Sequence, residues 1–349
     1  GKNMRVSKVV ACFAAVFGLG AACAQTVINL YSARHYPTDE ALYSEFTKTT
    51  GIAIQRVDAD DAGILARLRT EGSASPADVI LLVDASRLWK AETEGLFMSI
   101  NSKTLESSVP THLRSKPNDK GEFSWFGMST RARIVVYDKH KIDRQQVDTY
   151  EKLASPGLKG QLCIRSGSHP YNLSLFGAIQ EHMGAAATET WLKGLVANMA
   201  RTPKGGDTDQ IKAVASGECA VAVTNTYYMA RMLRSNNATE KAMAESLGVV
   251  FPNQNSWGTH VNVAGAAVAR HSKNSAAAIK FLEYLVSPAA QNHFANGNNE
   301  WPVVKDLKFD NPALKSMSGG DFKSEVIPIS AVGMNQIKVQ QMLDRVGFK

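Results

Sequence analysis

The chain has 349 residues, of which 44% are hydrophobic and 20% charged, and a formal net charge of +7. That length supports one large or two moderate domains with real cores, and the composition is that of an ordinary folded protein, neither fibrous nor disordered. Beyond the first segment there is no lysine or arginine run of the kind that marks a nucleic-acid or membrane-surface partner.

The first segment reads as a secretory signal peptide spanning residues 1–24, with residues 1–3 as a leading extension. Met4-Arg5-Val6-Ser7-Lys8 is positive, residues 9–22 are apolar without an acid, and Ala22-Cys23-Ala24 is a small-x-small cleavage site before Gln25. A membrane anchor is the other reading of such a run, but the run is shorter than the ~20 residues a span needs. Lipid attachment at Cys23 is disfavoured by Gly20, which stands where a leucine is usual. Cleavage after Ala24 removes Lys2, Arg5 and Lys8 and no acid, taking the formal charge from +7 to +4. It predicts a periplasmic protein with a mild preference for an anionic ligand or chelate. Cys12 and Cys23 leave with the signal, so Cys163 and Cys219 remain in an oxidising compartment. Both fall in predicted strands of one region; a disulfide and two free buried thiols are both open.

Residues 27–31 predict a strand, followed by a loop at 32–37 and a helix through Thr49, capped by Thr38 or Asp39 and closed by Gly51. A second strand at 52–57, a helix from Asp60 or Asp61 to Arg69, an apolar strand at 77–83 and a helix at 86–94 follow. Alternation of this kind predicts a parallel α/β sheet covered on both faces. Residues 126–137 read as one long extended segment, long enough to pass between lobes. Beyond it, strand 161–165, helices 171–183, 188–198 and 206–216, strand 219–223 and helix 227–235 make a second α/β region. A short strand at 248–251, a return strand at 261–269 and helices 275–285 and 288–296 come next; the tail from Asn311 reads as loop plus a helix at 334–344. We therefore expect a hinged, two-lobed α/β binding protein whose site lies between the lobes. The expected division is 25–128 plus 256–304 for one lobe and 129–255 plus 305–349 for the other, with the hinge near Thr130 and Ser256.

Three predicted strand ends carry phenols: His35-Tyr36, Tyr171, and the adjacent pair Tyr227-Tyr228. In open α/β sheets ligands bind beyond the carboxyl ends of the strands. A phenolate is a hard, anionic oxygen donor, and Fe(III) is the biological ion that matches it best. A free phenol has a pKa near ~10, so a trivalent ion must stabilise the anion by coordination. Tyr36, Tyr171, Tyr227, Tyr228 and His35 supply four to five ligands. Four phenolates exceed the charge of Fe(III) by one, which calls for an arginine nearby. Arg131, Arg133 and Arg231 are the candidates, with Asn225, two residues before Tyr227, as a further outer group. The hydroxyls and amides of Ser166-Gly167-Ser168, before a helix, offer an anion site or a plain helix cap.

Each residue has a blander reading, since a tyrosine at a helix start is commonly a packing residue with its hydroxyl satisfied. Tyr31, Tyr43, Tyr137, Tyr150 and Tyr284 are assigned to packing, and the histidines other than His35 to the surface or local hydrogen bonds. The chain has no G-x-S-x-G, H-E-x-x-H, P-loop or G-x-G-x-x-G, and Asp60-Asp61 reads as a helix cap. Rival functions are an organic-cation carrier with the tyrosines as an aromatic box, a ferrous-iron carrier, and an exported hydrolase using His35 as a general base.

The run Val27-Ile28-Asn29-Leu30-Tyr31-Ser32-Ala33-Arg34-His35-Tyr36, the segment from Cys163 to Asn172 and Asn225-Thr226-Tyr227-Tyr228 resemble the periplasmic ferric-ion-binding proteins of ABC importers (FbpA/FutA-like). The resemblance covers nearly all of the chain after the signal. It implies a two-lobed, transferrin-like type II periplasmic binding fold, a monomer without catalytic activity, and Fe(III) as cargo handed to an ABC permease in the inner membrane. The implied ligands are Tyr36, Tyr171, Tyr227 and Tyr228, with His35 as a fifth ligand or an outer group. Some members use a glutamate after the third strand together with a synergistic anion such as carbonate. Here Val83-Asp84-Ala85 stands in that region, so the chain resembles the tyrosine-rich branch, and the need for an anion is left open.

Overall fold

The computed structural model describes residues 25–34 and 36–349. The signal-peptide reading of residues 1–24 and the reading of His35 as a ligand lie outside the described residues.

The first lobe starts as a parallel sheet. β1 (Val27–Ser32) leads through α1 (Asp39–Thr50) to β2 (Ala53–Asp58), then through α2 (Asp61–Glu71) to β3 (Val79–Leu82) and α3 (Ala85–Thr93). β1 pairs in parallel with β2 on one side and β3 on the other, a pattern that requires crossover helices. Asp60 caps α2 by accepting from Gly63 N at 2.7 Å, and Asp84 caps α3 by accepting from Ser86 N at 2.8 Å. The expected cap of α1 is corrected: the Thr38 side chain makes no cap bond, and Asp39 is buried against Arg34. A carboxylate facing a buried guanidinium is worth more there than at a solvated amide.

After β4 (Phe97–Met98) and α4 (Lys103–Ser108) comes β5 (Phe126–Tyr137), in which every residue is buried. The second lobe is built from β6 (Leu162–Cys163), α5 (Pro170–Met183), α6 (Ala185–Asn198), α7 (Asp207–Ala215), β7 (Val221–Asn225), α8 (Thr226–Leu233), α9 (Ala238–Glu245) and β8 (Gly248–Val250). β9 (Val261–Ala269), α10 (Ser275–Leu285), α11 (Pro288–Asn298) and β10 (Trp301–Pro302) return to the first lobe, and α12 (Pro312–Ser318), α13 (Ile329–Met334) and α14 (Gln336–Val346) form the tail. The strand order is β2-β1-β3-β9-β5-β7-β6, with β4 on β9 and β8 and β10 on β5. β9 runs antiparallel to both β3 and β5. β5 belongs to both lobes: residues through Ala132 pair with β9, and residues from Arg133 pair with β7 and β8.

The tail is more ordered than a loop with one helix. Asn311 accepts from Leu314 N at 3.1 Å, so Asn311-Pro312 is a helix start. α13 lies between α3 of the first lobe and α5 of the second, packed closely on both. A Cβ on Gly177 would stand 2.7 Å from the Val332 carbonyl, and one on Gly333 would collide with Trp89. Among the described residues, no helix is long and apolar enough to cross a membrane.

Cys163 on β6 and Cys219, just before β7, form a disulfide with a Cα–Cα distance of 5.9 Å across the parallel strand pair. The loop it closes is long, and closure of such a loop restricts the unfolded chain by ~4 kcal/mol in the entropic account. Cys219→Ser is expected to lower stability by roughly 2–4 kcal/mol in urea unfolding, and reducing agent should bring the parent protein to the same midpoint. An unshifted midpoint in both would show that the crosslink carries no stability.

Candidate metal centre

The sheet order sends three strand ends to one cleft. β1 runs out through Ala33 and Arg34 to the half-buried Tyr36. β6 turns into α5, whose second residue is Tyr171, and β7 turns into α8, which opens Thr226-Tyr227-Tyr228. The start of α8 is tied to the central strand, because Ala132 N donates to Thr226 Oγ1 at 3.1 Å. Tyr227 Oη donates to Tyr171 Oη at 2.8 Å, and Tyr228 Oη reaches the same oxygen at 3.5 Å. Three of the sequence-chosen phenols therefore converge at their oxygens. Tyr36 faces the same group from the other lobe, within electrostatic reach of Tyr227 and Arg131.

Burial dominates the titration of these phenols. It pushes Tyr36 up, with Glu300 adding to the effect and Arg131, Arg34 and Arg231 opposing it. Burial also pushes Tyr171 and Tyr227 well above the usual phenol range; neighbouring phenols add to this and Arg131 opposes it. Without a cation Tyr36, Tyr171 and Tyr227 are held in the protonated form, and a strongly charged ion is what can displace those protons. Among the described residues no group of three or more His, Cys, Asp or Glu side chains is arranged to hold a metal. The phenols are the oxygen donors that converge.

The arginines divide into three kinds. Arg131 is buried, donates to Glu300 Oε2 at 2.9 Å and lies 5.1 Å from the Tyr227 ring centroid. Its Nε is buried with no partner among the described residues. Arg231 is exposed and stands 5.6 Å from the Tyr228 ring and 5.9 Å from that of Tyr227. Arg133 departs from its expected role as a charge-balancing or anion group: it bonds Asp207 at 2.8 Å, Asn225 Oδ1 at 2.9 Å and Asn172 Oδ1 at 2.7 Å. Its donors are taken up there, with Asp207 shared by Arg165 at 3.2 Å, so it braces the residues that flank Tyr171 and Tyr227. Asn225 gives its oxygen to that brace, and its Nδ2 is buried without a partner.

The serine pair is likewise corrected as an anion site. Ser166 Oγ donates to the Lys349 carbonyl at 2.7 Å, and Ser168 is exposed. The cap of α5 is His169, whose Nδ1 accepts from Tyr171 N at 3.2 Å. Burial, then Arg165 and Arg133, lowers His169 to about 4, which keeps the imidazole a neutral acceptor. Of the other histidines, His260 and His182 both pair with Glu325, and His293 meets Asp39 at 2.9 Å. His260 is fully buried, where the sequence had suggested a polar segment.

Sequence reasoning missed the residues beneath Tyr36. Arg34 meets Asp39 at 3.1 Å and Glu300 at 3.0 Å, and lies 4.9 Å from the Tyr36 ring centroid. Glu300, fully buried after α11, accepts from Ser129 Oγ at 2.6 Å and binds both Arg34 and Arg131. An arginine directly before His35-Tyr36 was a local signal; a glutamate remote in sequence gave none.

Residues 41–316 match the family model described as bacterial extracellular solute-binding protein. The chain belongs to that family. It is 43% identical to iron uptake protein A1 of Synechocystis sp., over 93% of this chain and 88% of the relative. Among solved structures it is similar to one titled Trichodesmium (IdiA) (FutA) in complex with iron and citrate ligands, with 44% identity and a TM-score of 0.87 over 93% of this chain and all of that one. A second, ferric iron-binding protein A of Mannheimia haemolytica in an open conformation, has 37% identity and a TM-score of 0.84 over 93% and 99% of the two chains. The fold is that of the type II periplasmic binding proteins, with two lobes and a curled mixed sheet.

Two outcomes are expected here. Glu300→Ala leaves two buried guanidinium groups short of a counter-charge and should cost about 3–5 kcal/mol in urea unfolding; a loss under 1 kcal/mol would mean the pairs do not hold the site. Burial raises Asp61, on α2, to about 6, against the Val83 N–H that it accepts. A carboxyl raised in the folded state contributes stability in full below its unfolded pKa near ~3.9 and loses it as pH rises through about 6. Asp61→Asn should therefore flatten the fall in stability over that window, read as melting temperature against pH.

Proposed function

We propose that this protein is the periplasmic receptor of an iron importer, which takes Fe(III) between its lobes through Tyr36, Tyr171, Tyr227 and Tyr228 and delivers it to an ABC permease. The observation that carries the reading is the meeting of three phenol oxygens from two strand ends, 2.8 and 3.5 Å apart, opposite Tyr36. Hard anionic oxygens suit a trivalent cation, and the names of the relatives agree with that cargo. We read the protein as a monomer that binds and does not catalyse; His35 would join as a fifth ligand or an outer group.

Ferric iron fits the geometry better than an organic cation. An aromatic cage offers its ring faces to the cation, but here the faces are taken by arginines. Arg34 lies over Tyr36, Arg131 and Arg231 over Tyr227, Arg165 over Tyr171, and Arg231 over Tyr228. What the rings leave open is their oxygens. Arg231, without a salt bridge among the described residues, offsets the one negative charge that four phenolates carry beyond Fe(III), and Arg131, though held by Glu300, still favours the anions. With those cations in place, a synergistic anion such as carbonate is not required for charge balance. The cleft beside Tyr228, lined by Thr208, Arg231, Ser235 and Asn299, has room for an iron-bound carboxylate chelate.

Titration with ferric citrate should raise a broad visible charge-transfer band that saturates at one iron per chain, and Tyr228→Phe should bleach or shift it. A colourless wild-type protein would overturn ferric tyrosinate and favour ferrous iron. Arg231→Ala should weaken iron retention by about fivefold, the scale of one exposed but ion-facing charge of roughly 1 kcal/mol. Retention equal to wild type would remove Arg231 from the charge balance.

A further inference from the structure

Arg133 stands where β5 changes partners, between the β9 ladder of one lobe and the β7 and β8 ladders of the other. Its N–H donates to the His260 carbonyl at 3.0 Å, and its carbonyl accepts from Tyr150 Oη at 2.6 Å. The same phenol oxygen accepts from His260 N–H at 3.0 Å. The β5–β9 ladder ends at the pair Ala132 and Val261, so the buried His260 amide lies beyond it and needs a partner from elsewhere. One hydroxyl thus closes a ring across two of the chain segments that pass between the lobes.

Tyr150 itself is anchored in the second lobe and fully buried. Its N–H donates to Asn253 Oδ1 at 2.9 Å, and its carbonyl accepts from Trp191 Nε1 at 2.8 Å. The C-terminal tail joins at the same point. Thr259 N donates to Lys323 O at 2.9 Å, Glu325 N donates to Thr259 O at 3.0 Å, and the Glu325 carboxylate holds His260 and, at 2.6 Å, His182. From the crossing, the Arg133 side chain reaches Asn172 and Asn225, next to Tyr171 and one residue from Thr226-Tyr227.

We propose that Tyr150 is the pin of the interlobe hinge, and that Arg133 is a positioning residue which carries the lobe angle from that pin to the second-lobe tyrosines. The pin holds the crossing of β5 and the segment before β9 fixed, so lobe rotation turns about Arg133 and His260. Because Arg133 is both the crossing point and the brace of Tyr171 and Tyr227, closing the lobes and aligning those phenols are one movement. The proposal rests on the ferric reading only for the ion used in its test.

Tyr150→Phe removes the hydroxyl and leaves the ring in place, with the Arg133 carbonyl and the His260 amide short of a partner. The expected result is release of iron to a competing chelator about tenfold faster, the effect of roughly one buried hydrogen bond, with the charge-transfer maximum unchanged. Tyr284→Phe is the matched control, since that hydroxyl donates to the Leu42 carbonyl at 2.8 Å within the first lobe alone. It should lower the melting temperature without altering release. Release at the wild-type rate in Tyr150→Phe, or equal acceleration in both variants, would overturn the pin. Hydrogen exchange of the wild-type protein tests it without a variant and without iron: the His260 amide should be as protected in the apo form as in the loaded one. Loss of that protection in the apo form would mean the crossing opens with the lobes and would also overturn it. Absence of a charge-transfer band in the wild type would sink the ferric reading and leave the apo exchange result decisive for the hinge.

Discussion

Buried guanidinium charge is the constraint around which this molecule is arranged. Arg34, Arg131 and Arg133 are all at most 5% exposed, and an unpaired charge so placed would cost several kcal/mol. Each faces a carboxylate: Asp39, five residues on, and the distant Glu300 for Arg34, Glu300 for Arg131, and Asp207, shared with Arg165, for Arg133. These pairs fix β1's exit, the central strand, the end of α11 and the start of α7 relative to one another. Burial on this scale is weak evidence of net stability, because well-packed apolar residues often serve as well. What it brings is a fixed positive field beneath a cluster of phenols.

That field opposes what burial does to the same phenols. Desolvation and mutual repulsion keep Tyr36, Tyr171 and Tyr227 protonated, while Arg131, Arg34 and Arg231 pull toward the anion. Those three phenols are therefore held neutral but surrounded by groups that favour their ionisation. A trivalent ion supplies the remaining driving force through coordination, which a divalent ion of the same size does less well. Selectivity then follows from how much charge must arrive before the protons leave, and a single donor's affinity matters less.

Much of this was legible in the sequence. The β–α alternation, the long strand at 126–137 and the three phenol-bearing strand ends all follow from local pattern, and the structure has them at those residues. Tyr171, Tyr227 and Tyr228 meet because their strands end on one edge, a consequence of topology that periodicity already implies. The failures share one cause. Arg133 was chosen for its charge, but that charge is satisfied by Asp207; Asp39 was read as a cap, but it serves Arg34; Ser166 was read as an anion donor, but it holds the last residue's carbonyl. For Arg133 and Ser166 a partner remote in sequence outcompeted the local role, and nothing within a few residues announces it; for Asp39 the partner is only five residues away, and burial decided between cap and ion pair. Tyr150 was filed under packing for the same reason: its ring is indeed core, and its hydroxyl matters through backbone groups at Arg133 and His260.

The placement of the matched and unmatched arginines also separates rigidity from motion. Those beneath the phenols are locked by carboxylates within lobes or at the crossing strands. Arg231, on α8 at the cleft, is exposed, and among the salt bridges within the described residues it has none. A receptor that must later give up its cargo needs one part of the positive field that solvent and a partner can reach. In the proposed hinge, the locked charges would respond to lobe opening only as far as the crossing at Arg133 turns. An exposed charge loses its hold on the phenolates as soon as water fills the cleft, because screening weakens exposed pairs far more than buried ones. In the proposed site, opening would separate Tyr36 from the second-lobe phenols, while Arg231, already exposed, contributes a charge that solvent screens.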